Sequence, residues 1–261
     1  SDLLFEEDAR ASESGALASR VELVKKAKDQ LKIPVIASLN ATRPGTWQDY
    51  AEALVDAGAD ALELNLYAVT ADISIASAEV EMEHLAAVEA VKIVVDVPLA
   101  VKLSSYYSAI SAFAARAVDA GADGLVLLNR FYAADIDLEN LKLEAALDLS
   151  VPADQRLPLR WIGILRAQLP TTSLACTSGV HTGAELTKAI LVGADVACTA
   201  SAVMQRGAGA ITEMLEGTSA WLTRHDFPSV TQARGKMSAN SSRGSAVYER
   251  AQYLDVIKGD W

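Results

Sequence analysis

Metal-site chemistry has little to work with in this sequence. Only three histidines and two cysteines occur among 261 residues. His84, His181, His225, Cys176 and Cys198 are scattered, with no HxH, HExxH or CxxC spacing, so no metal centre is expected. Cys176 and Cys198 lie in apolar runs and read as reduced, buried thiols. His181 reads as a cap or surface residue, and His84 and His225 as exposed helix residues. Basic residues are also scarce: 23 Lys and Arg against 34 Asp and Glu leave a net charge of −11. That balance argues against nucleic acid and anionic membranes as main partners, because both need basic surface. It leaves open an anionic ligand held by backbone N–H groups. No apolar run is long enough to span a bilayer, and no basic-then-apolar leader opens the chain, so a cytoplasmic protein is expected.

What is present is apolar and periodic. Hydrophobic residues make up 51% of the chain, enough for a sizeable core, and the length suits one α/β barrel of ~250 residues. One phrase recurs. Ala57-Gly58-Ala59-Asp60 precedes the apolar run ALELN; Ala120-Gly121-Ala122-Asp123 precedes GLVLLN; Gly193-Ala194-Asp195 precedes VACTAS. Each reads as a helix end, a tight glycine turn and a buried strand.

In chain order, residues 3–5 read as the end of a strand, 6–15 as an acidic stretch and loop, and 20–31 as a helix closed by Pro34. Strands are expected at 35–40, 60–66, 99–103, 124–129, 173–177 and 196–199. Helices are expected at 46–57, with Thr46 as N-cap, and at 76–95, 109–120, 158–169, 182–192 and 208–223. Arg43-Pro44-Gly45 reads as a turn, 130–137 as irregular, the following residues to about 149 as helical, and 151–156 as a linker. Alternating β and α with strands apolar on both faces predicts a parallel sheet covered by helices. The fold class expected is an α/β TIM (β/α)8 barrel over residues 1–236, lacking its first βα unit and part of the second strand. Residues 237–261 are expected as a tail with a short amphipathic segment.

In such folds ligands bind beyond the carboxyl ends of the strands. The residues expected there are Asn40, Asn65, Lys102, Asn129, Ser178-Gly179 and Ala200-Ser201. A lysine inside an apolar strand is costly unless it has an anionic partner. Lys102 therefore reads as a structural ion pair, a Schiff-base nucleophile of an aldolase-type barrel, or a cation stabilising charge on a cofactor ring. Thr177-Ser178-Gly179 before a helix, with Ala200-Ser201 before the next, reads as a phosphate site.

With these residues assembled, the chain resembles the dihydroorotate dehydrogenase family, in particular its bacterial dihydroorotate dehydrogenase-like branch. The phrases that carry the resemblance are IPVIASLN, ADALELNL, VPLAVKLS, ADGLVLLNRFYAADIDLE, LPLRWIGIL and SLACTSGVHTG with VACTASAVMQRG, in order from about residue 3 to 236. The resemblance implies an FMN-containing barrel of pyrimidine biosynthesis, an orotate-like substrate and a homodimer. It implies that Lys102 contacts the flavin ring and that Asn40, Asn65 and Asn129 contact flavin and substrate. By the same resemblance Thr177, Ser178, Gly179, Ala200 and Ser201 hold the flavin phosphate, with one glycine of the family's pattern lost at each loop.

Two departures qualify the named reaction. Where the family carries a Cys or Ser base the sequence has Ala68, and where it carries a substrate-binding Asn it has Thr70. Tyr67 is the substitute acid–base candidate, and a degenerate, non-catalytic flavin-binding barrel is the alternative reading. The family's first strand and the loop after its second are not recognisable before Arg20.

Overall fold

A computed structural model describes residues 2–40, 46–131, 133–144, 148–240, 247–248 and 257–259. The chain falls into two compact units, residues 1–102 with 116–123, and residues 103–115 with 124–261.

The first unit opens with helix α1 (Asp2–Gln30). Strands β1 (Ile36–Asn40), β2 (Ala61–Asn65) and β3 (Leu99–Lys102) then alternate with α2 (Trp47–Asp56) and α3 (Ser77–Val94). The three strands pair in parallel, β1 with β2 and β2 with β3. Their side chains alternate. Ala37, Leu39, Leu62, Leu64, Leu99 and Val101 are buried on one face, while the other carries Ser38, Asn40, Glu63, Asn65 and Lys102. Val88 and Val91 of α3 and Ala51 and Leu54 of α2 complete the buried side.

The second unit holds β4 (Gly124–Leu127), a hairpin of β5 (Asp135–Asp137) and β6 (Lys142–Glu144), then β7 (Ser173–Cys176) and β8 (Val196–Ala197). Its helices are α5 (Arg156–Gln168), α6 (Gly183–Val192), α7 (Ser201–Arg206), α8 (Gly209–Arg224) and the short α9 (Val230–Ala233). Helix α4 (Ile110–Asp119) is divided between the two units. β4 pairs in parallel with β7, and β7 with β8. All four residues of β4 are buried, and Leu125, Leu127, Leu174, Ile162 and Leu165 form this unit's core. Both units are therefore α/β with parallel strands, the class expected.

The recurring Gly-Ala-Asp phrase has a structural explanation. Each glycine ends a helix at positive φ, +101° at Gly58, +111° at Gly121 and +119° at Gly193, where a side chain would be strained. The aspartate two residues on turns back to the start of a neighbouring strand. Asp60 accepts from the Val35 N–H at 2.7 Å, Asp123 from the Leu99 N–H at 2.8 Å and Asp195 from the Leu174 N–H at 2.9 Å. A cation from the preceding helix pins each carboxylate: Lys28 on Asp60 and Lys92 on Asp123, both at 2.7 Å, and Arg166 on Asp195. The stem of that cation lies against the glycine, 3.3 Å from where a Gly58 Cβ would stand and 2.8 Å at Gly121. The phrase thus encodes a clamp that joins helix, turn and strand start.

Several expectations are corrected. Residues 3–5 are not a strand end and 6–15 not a loop: all lie in α1, where Leu, Ala, Glu and Arg favour helix and no proline intervenes before Pro34. The residues after 137 do not continue as helix but form the β5–β6 hairpin, with Ile136 opposite Leu143. Its turn carries Asp137, whose carboxylate accepts from the Glu139 and Asn140 N–H groups, a local bond that competes with helix. The linker at 151–156 is a 3₁₀ turn (Pro152–Gln155) running into α5, with Asp154 accepting from the Val151 N–H. The strands of the first unit are not apolar on both faces. The turn expected at Arg43-Pro44-Gly45 and most of the tail lie outside the described residues.

Candidate functional site

In the first unit, strand register gathers three of the expected residues. Asn40 pairs with Asn65, and Asn65 with Lys102, so the two amides and the ammonium form one row at the carboxyl ends of β1, β2 and β3. The Asn65 amide donates to Asn40 Oδ1 at 2.5 Å, which fixes both side chains. One step down the same face lies Glu63, whose Oε1 is 3.9 Å from Lys102 Nζ and accepts from Ser38 Oγ at 3.2 Å. Lys102 thus has the anionic partner its burial demands; the two side chains are 23% and 20% exposed. At that separation the attraction is about 4 kcal/mol for an effective dielectric of ~20, largely offset by desolvation. The pair positions the lysine more than it stabilises the fold.

Beyond β2 the chain runs on through Leu66, Tyr67, Ala68, Val69 and Thr70. The Tyr67 N–H bonds back to the Asn65 carbonyl at 3.0 Å, and Tyr67 is half-buried. Ala68 and Thr70 are exposed, and the structure gives neither a bond to the Asn40–Asn65–Lys102 row. Glu63 and Ser38 were not among the residues expected. Period-2 spacing was the available signal, since Glu63 shares a face with Asn65, and Ser38 with Asn40.

The second unit brings together the other set. Thr177 continues β7, its N–H donating to the Leu127 carbonyl at 2.7 Å. The next two residues both take the left-handed conformation, φ +77° at Ser178 and +71° at Gly179. A tight turn of this kind before a helix can present backbone N–H groups to an anion. Gly179 also has no room for a side chain: a Cβ would stand 2.6 Å from the Gln155 N and 2.8 Å from the Val151 O. Helix α6 follows, capped by Thr182 accepting from the Ala184 N–H, with Glu185 accepting in return from Thr182. Ser201, at the first turn of α7, accepts from Ser150 N–H at 3.0 Å and is 2.8 Å from Ser150 Oγ. Ala200 precedes that turn and is exposed.

His181 is not a surface residue. It is buried, with Nε2 2.7 Å from the Ser150 carbonyl, and its own carbonyl accepts from Arg206. His84 is half-buried rather than exposed, and burial holds its pKa below the ordinary value against the nearby Glu83 and Glu81. Cys176 is buried as expected, and desolvation pushes its thiol up to about 12, which rules it out as a nucleophile near neutrality. Cys198 is only half-buried. Asn129 follows β4, its N–H donating to the Leu103 carbonyl at 2.9 Å. An open cavity of about 370 Å³ adjoins it, lined also by Ser105, Arg130, Phe131, Arg156 and Ser178. Among the described residues no helix is long and apolar enough to cross a membrane.

No protein-family model matches the chain. Curated relatives do. The chain is 29% identical over 215 residues to the catalytic subunit of dihydroorotate dehydrogenase B (NAD(+)) of Methanosarcina mazei, covering 80% of this chain and 67% of that protein. It is 29% identical over 214 residues to the corresponding subunit of Pyrococcus abyssi, covering 80% and 70%. A shorter match, 34% identical over 115 residues, is to a putative dihydroorotate dehydrogenase A (fumarate) of Aeropyrum pernix, covering 42% of this chain and 36% of that protein.

Proposed function

Because this chain is related to the dihydroorotate dehydrogenase family, we propose that it is an FMN-dependent oxidoreductase acting on a CH–CH bond of a dihydropyrimidine-like substrate. Dihydroorotate to orotate is the reference reaction. The observation that carries the reading is the row of Asn40, Asn65 and Lys102 at three strand ends.

The residues fit the cofactor in their chemistry. The first unit offers an ammonium flanked by amides, the donor set suited to a ring that gains negative charge. The second offers the Ser178–Gly179 turn and the Ser201 hydroxyl, suited to a phosphate. Bound FMN supplies hydride acceptance. Lys102, held in place by Glu63, would offer a fixed positive charge to a bound flavin ring. The Asn65–Asn40 pair orients ring and substrate polar edges, with Asn129 as a further amide for substrate. Proton removal from the substrate carbon falls to Tyr67, because Ala68 carries no titratable group and Thr70 no basic one. A homodimer is part of the same reading, checked by light scattering.

Purified protein mixed with FMN is expected to retain flavin absorbance through gel filtration; a colourless product sinks the reading. Lys102→Ala is expected to slow flavin reduction by at least about tenfold. Unchanged turnover would remove Lys102 from its assigned role. Ala68 favours one second reading, a barrel that binds flavin without oxidising dihydropyrimidines. Flavin that binds but is not bleached by dihydroorotate, while orotate leaves its spectrum unmoved, decides for that alternative.

A further inference from the structure

The three clamps differ in charge. At the first two, one lysine faces one aspartate. At the third, Asp195 receives two arginines, Arg166 on Oδ2 and Arg234 on Oδ1. Arg166 is fully engaged: Nε donates to the Gly193 carbonyl, Nη1 to the carbonyls of Pro170 and Thr172, and Nη2 to Asp195. Arg234 is engaged through Nη1 alone, and its Nε and Nη2 have no partner among the described residues. Both arginines line an open cavity of about 300 Å³, whose wall also includes Thr171, Ser173 and Thr231.

We infer that this cavity binds an oxyanion of the phosphate class, carried on a small organic molecule. The clamp holds one more positive than negative charge in a chain of net charge −11, so the excess is local and unbalanced. An arginine with two donors uncommitted offers the planar fork that matches a phosphoryl group, and hydroxyl-bearing residues stand around it. Asp195 does not oppose the ligand, because both its oxygens are already committed, to Arg234, Arg166 and the Leu174 N–H. The volume is about ten times a water molecule's share of ~30 Å³, more than a bare phosphate fills. The cavity lies at the amino end of β7, whereas Ser178 and Gly179 follow that strand's carboxyl end. It is therefore a second anion site, independent of the flavin reading.

Isothermal titration with inorganic phosphate and, separately, with ribose 5-phosphate tests this on the intact chain, on Arg234→Gln, on Thr231→Val and on Ser201→Ala. The wild type is expected to bind, ribose 5-phosphate more tightly. Arg234→Gln is expected to lose at least about tenfold in affinity, the loss typical of one charge-assisted bond. Thr231→Val, outside the clamp and exposed, is expected to lose several-fold while unfolding at the wild-type temperature. Ser201→Ala, at the separate loop site suited to the flavin phosphate, is expected to leave the Arg234-dependent binding in place. Absence of binding overturns the inference. So does binding that survives Arg234→Gln, or that Ser201→Ala abolishes, since the anion would then sit at the loops after β7 and β8.

Discussion

At the amino ends of three strands one arrangement is repeated, a glycine turn, an aspartate and a cation from an earlier helix, with a second arginine added in the third copy. At the carboxyl ends the strands finish on different chemistry: β1 and β2 on asparagine, β3 on a lysine, β7 on a left-handed Ser-Gly pair. Repetition marks the end that holds the fold together, because the same mechanical problem, joining helix to strand, recurs at each unit. Diversity marks the end assigned to flavin and substrate, because a bound ligand presents different groups to each strand. Sequence repeats in this chain therefore point away from the chemistry.

Substitutions that act on one end and spare the other sharpen this contrast. Asp195→Ala should have the largest effect. It strips the Leu174 N–H of its acceptor and leaves two part-buried arginines without their carboxylate, costing about 2–4 kcal/mol in urea unfolding. Asp123→Ala and Asp60→Ala should each cost less, since each carboxylate faces one lysine and is more exposed than Asp195. Equal losses at all three would deny the third clamp its special standing. Gly179→Ala should cost about 2–3 kcal/mol, from left-handed strain together with overlap on the Gln155 and Val151 backbone. FMN binding should fall with it, which no clamp variant that remains folded is expected to do.

Acid should attack the clamp end. At Asp60 the Lys28 bond and the Val35 N–H hold the carboxyl below its ordinary value. Burial pushes Asp123 and Asp195 up, but Lys92 and the Leu99 N–H, and the Leu174 N–H with Arg234 and Arg166, outweigh it. Carboxyls depressed in the folded state contribute stability that is complete above their unfolded values near ~4 and is lost as pH falls through the lower folded values. Unfolding free energy measured from pH 6 downward should therefore decline below about pH 4, less steeply in Asp195→Asn. A parallel decline in that variant would assign acid sensitivity elsewhere. The smallest effect expected is a gain. Ser178 occupies a left-handed position where glycine is at ease, so Ser178→Gly should raise stability by about 0.5–1 kcal/mol. No gain would mean that the Ser178 hydroxyl, 3.5 Å from the Leu128 carbonyl, offsets the strain.

The sequence made the α/β class legible because apolar runs of strand length alternate with helical spacing. Asn40, Asn65 and Lys102 were legible as strand-end residues for the same reason. Glu63 escaped because a glutamate between two leucines looks like an interruption, and only its partner on a neighbouring strand reveals a role. The β5–β6 hairpin escaped because Leu138, Leu141 and Leu143 suggest an amphipathic helix, whereas in the hairpin they are all exposed. Helix α1 was misread in its first half because Leu-Leu-Phe followed by acids resembles a strand end. The contribution of Arg234 to the third clamp, 39 residues beyond Asp195, leaves no local trace at all.

The clamps carry one more consequence, and it is kinetic. Each closes over a short stretch of chain: Lys28 to Asp60 spans 32 residues, Lys92 to Asp123 spans 31, and Arg166 to Asp195 spans 29. Loop closure of this size is entropically mild compared with closure over the whole chain, so these contacts are among the less costly tertiary ones to form. A growing chain can therefore lock each helix–turn–strand module as soon as its aspartate is synthesised, before the strands that follow exist. Modules fastened in this order would leave few naked strand edges waiting during assembly, an expectation that pulse-labelled hydrogen exchange during refolding would check.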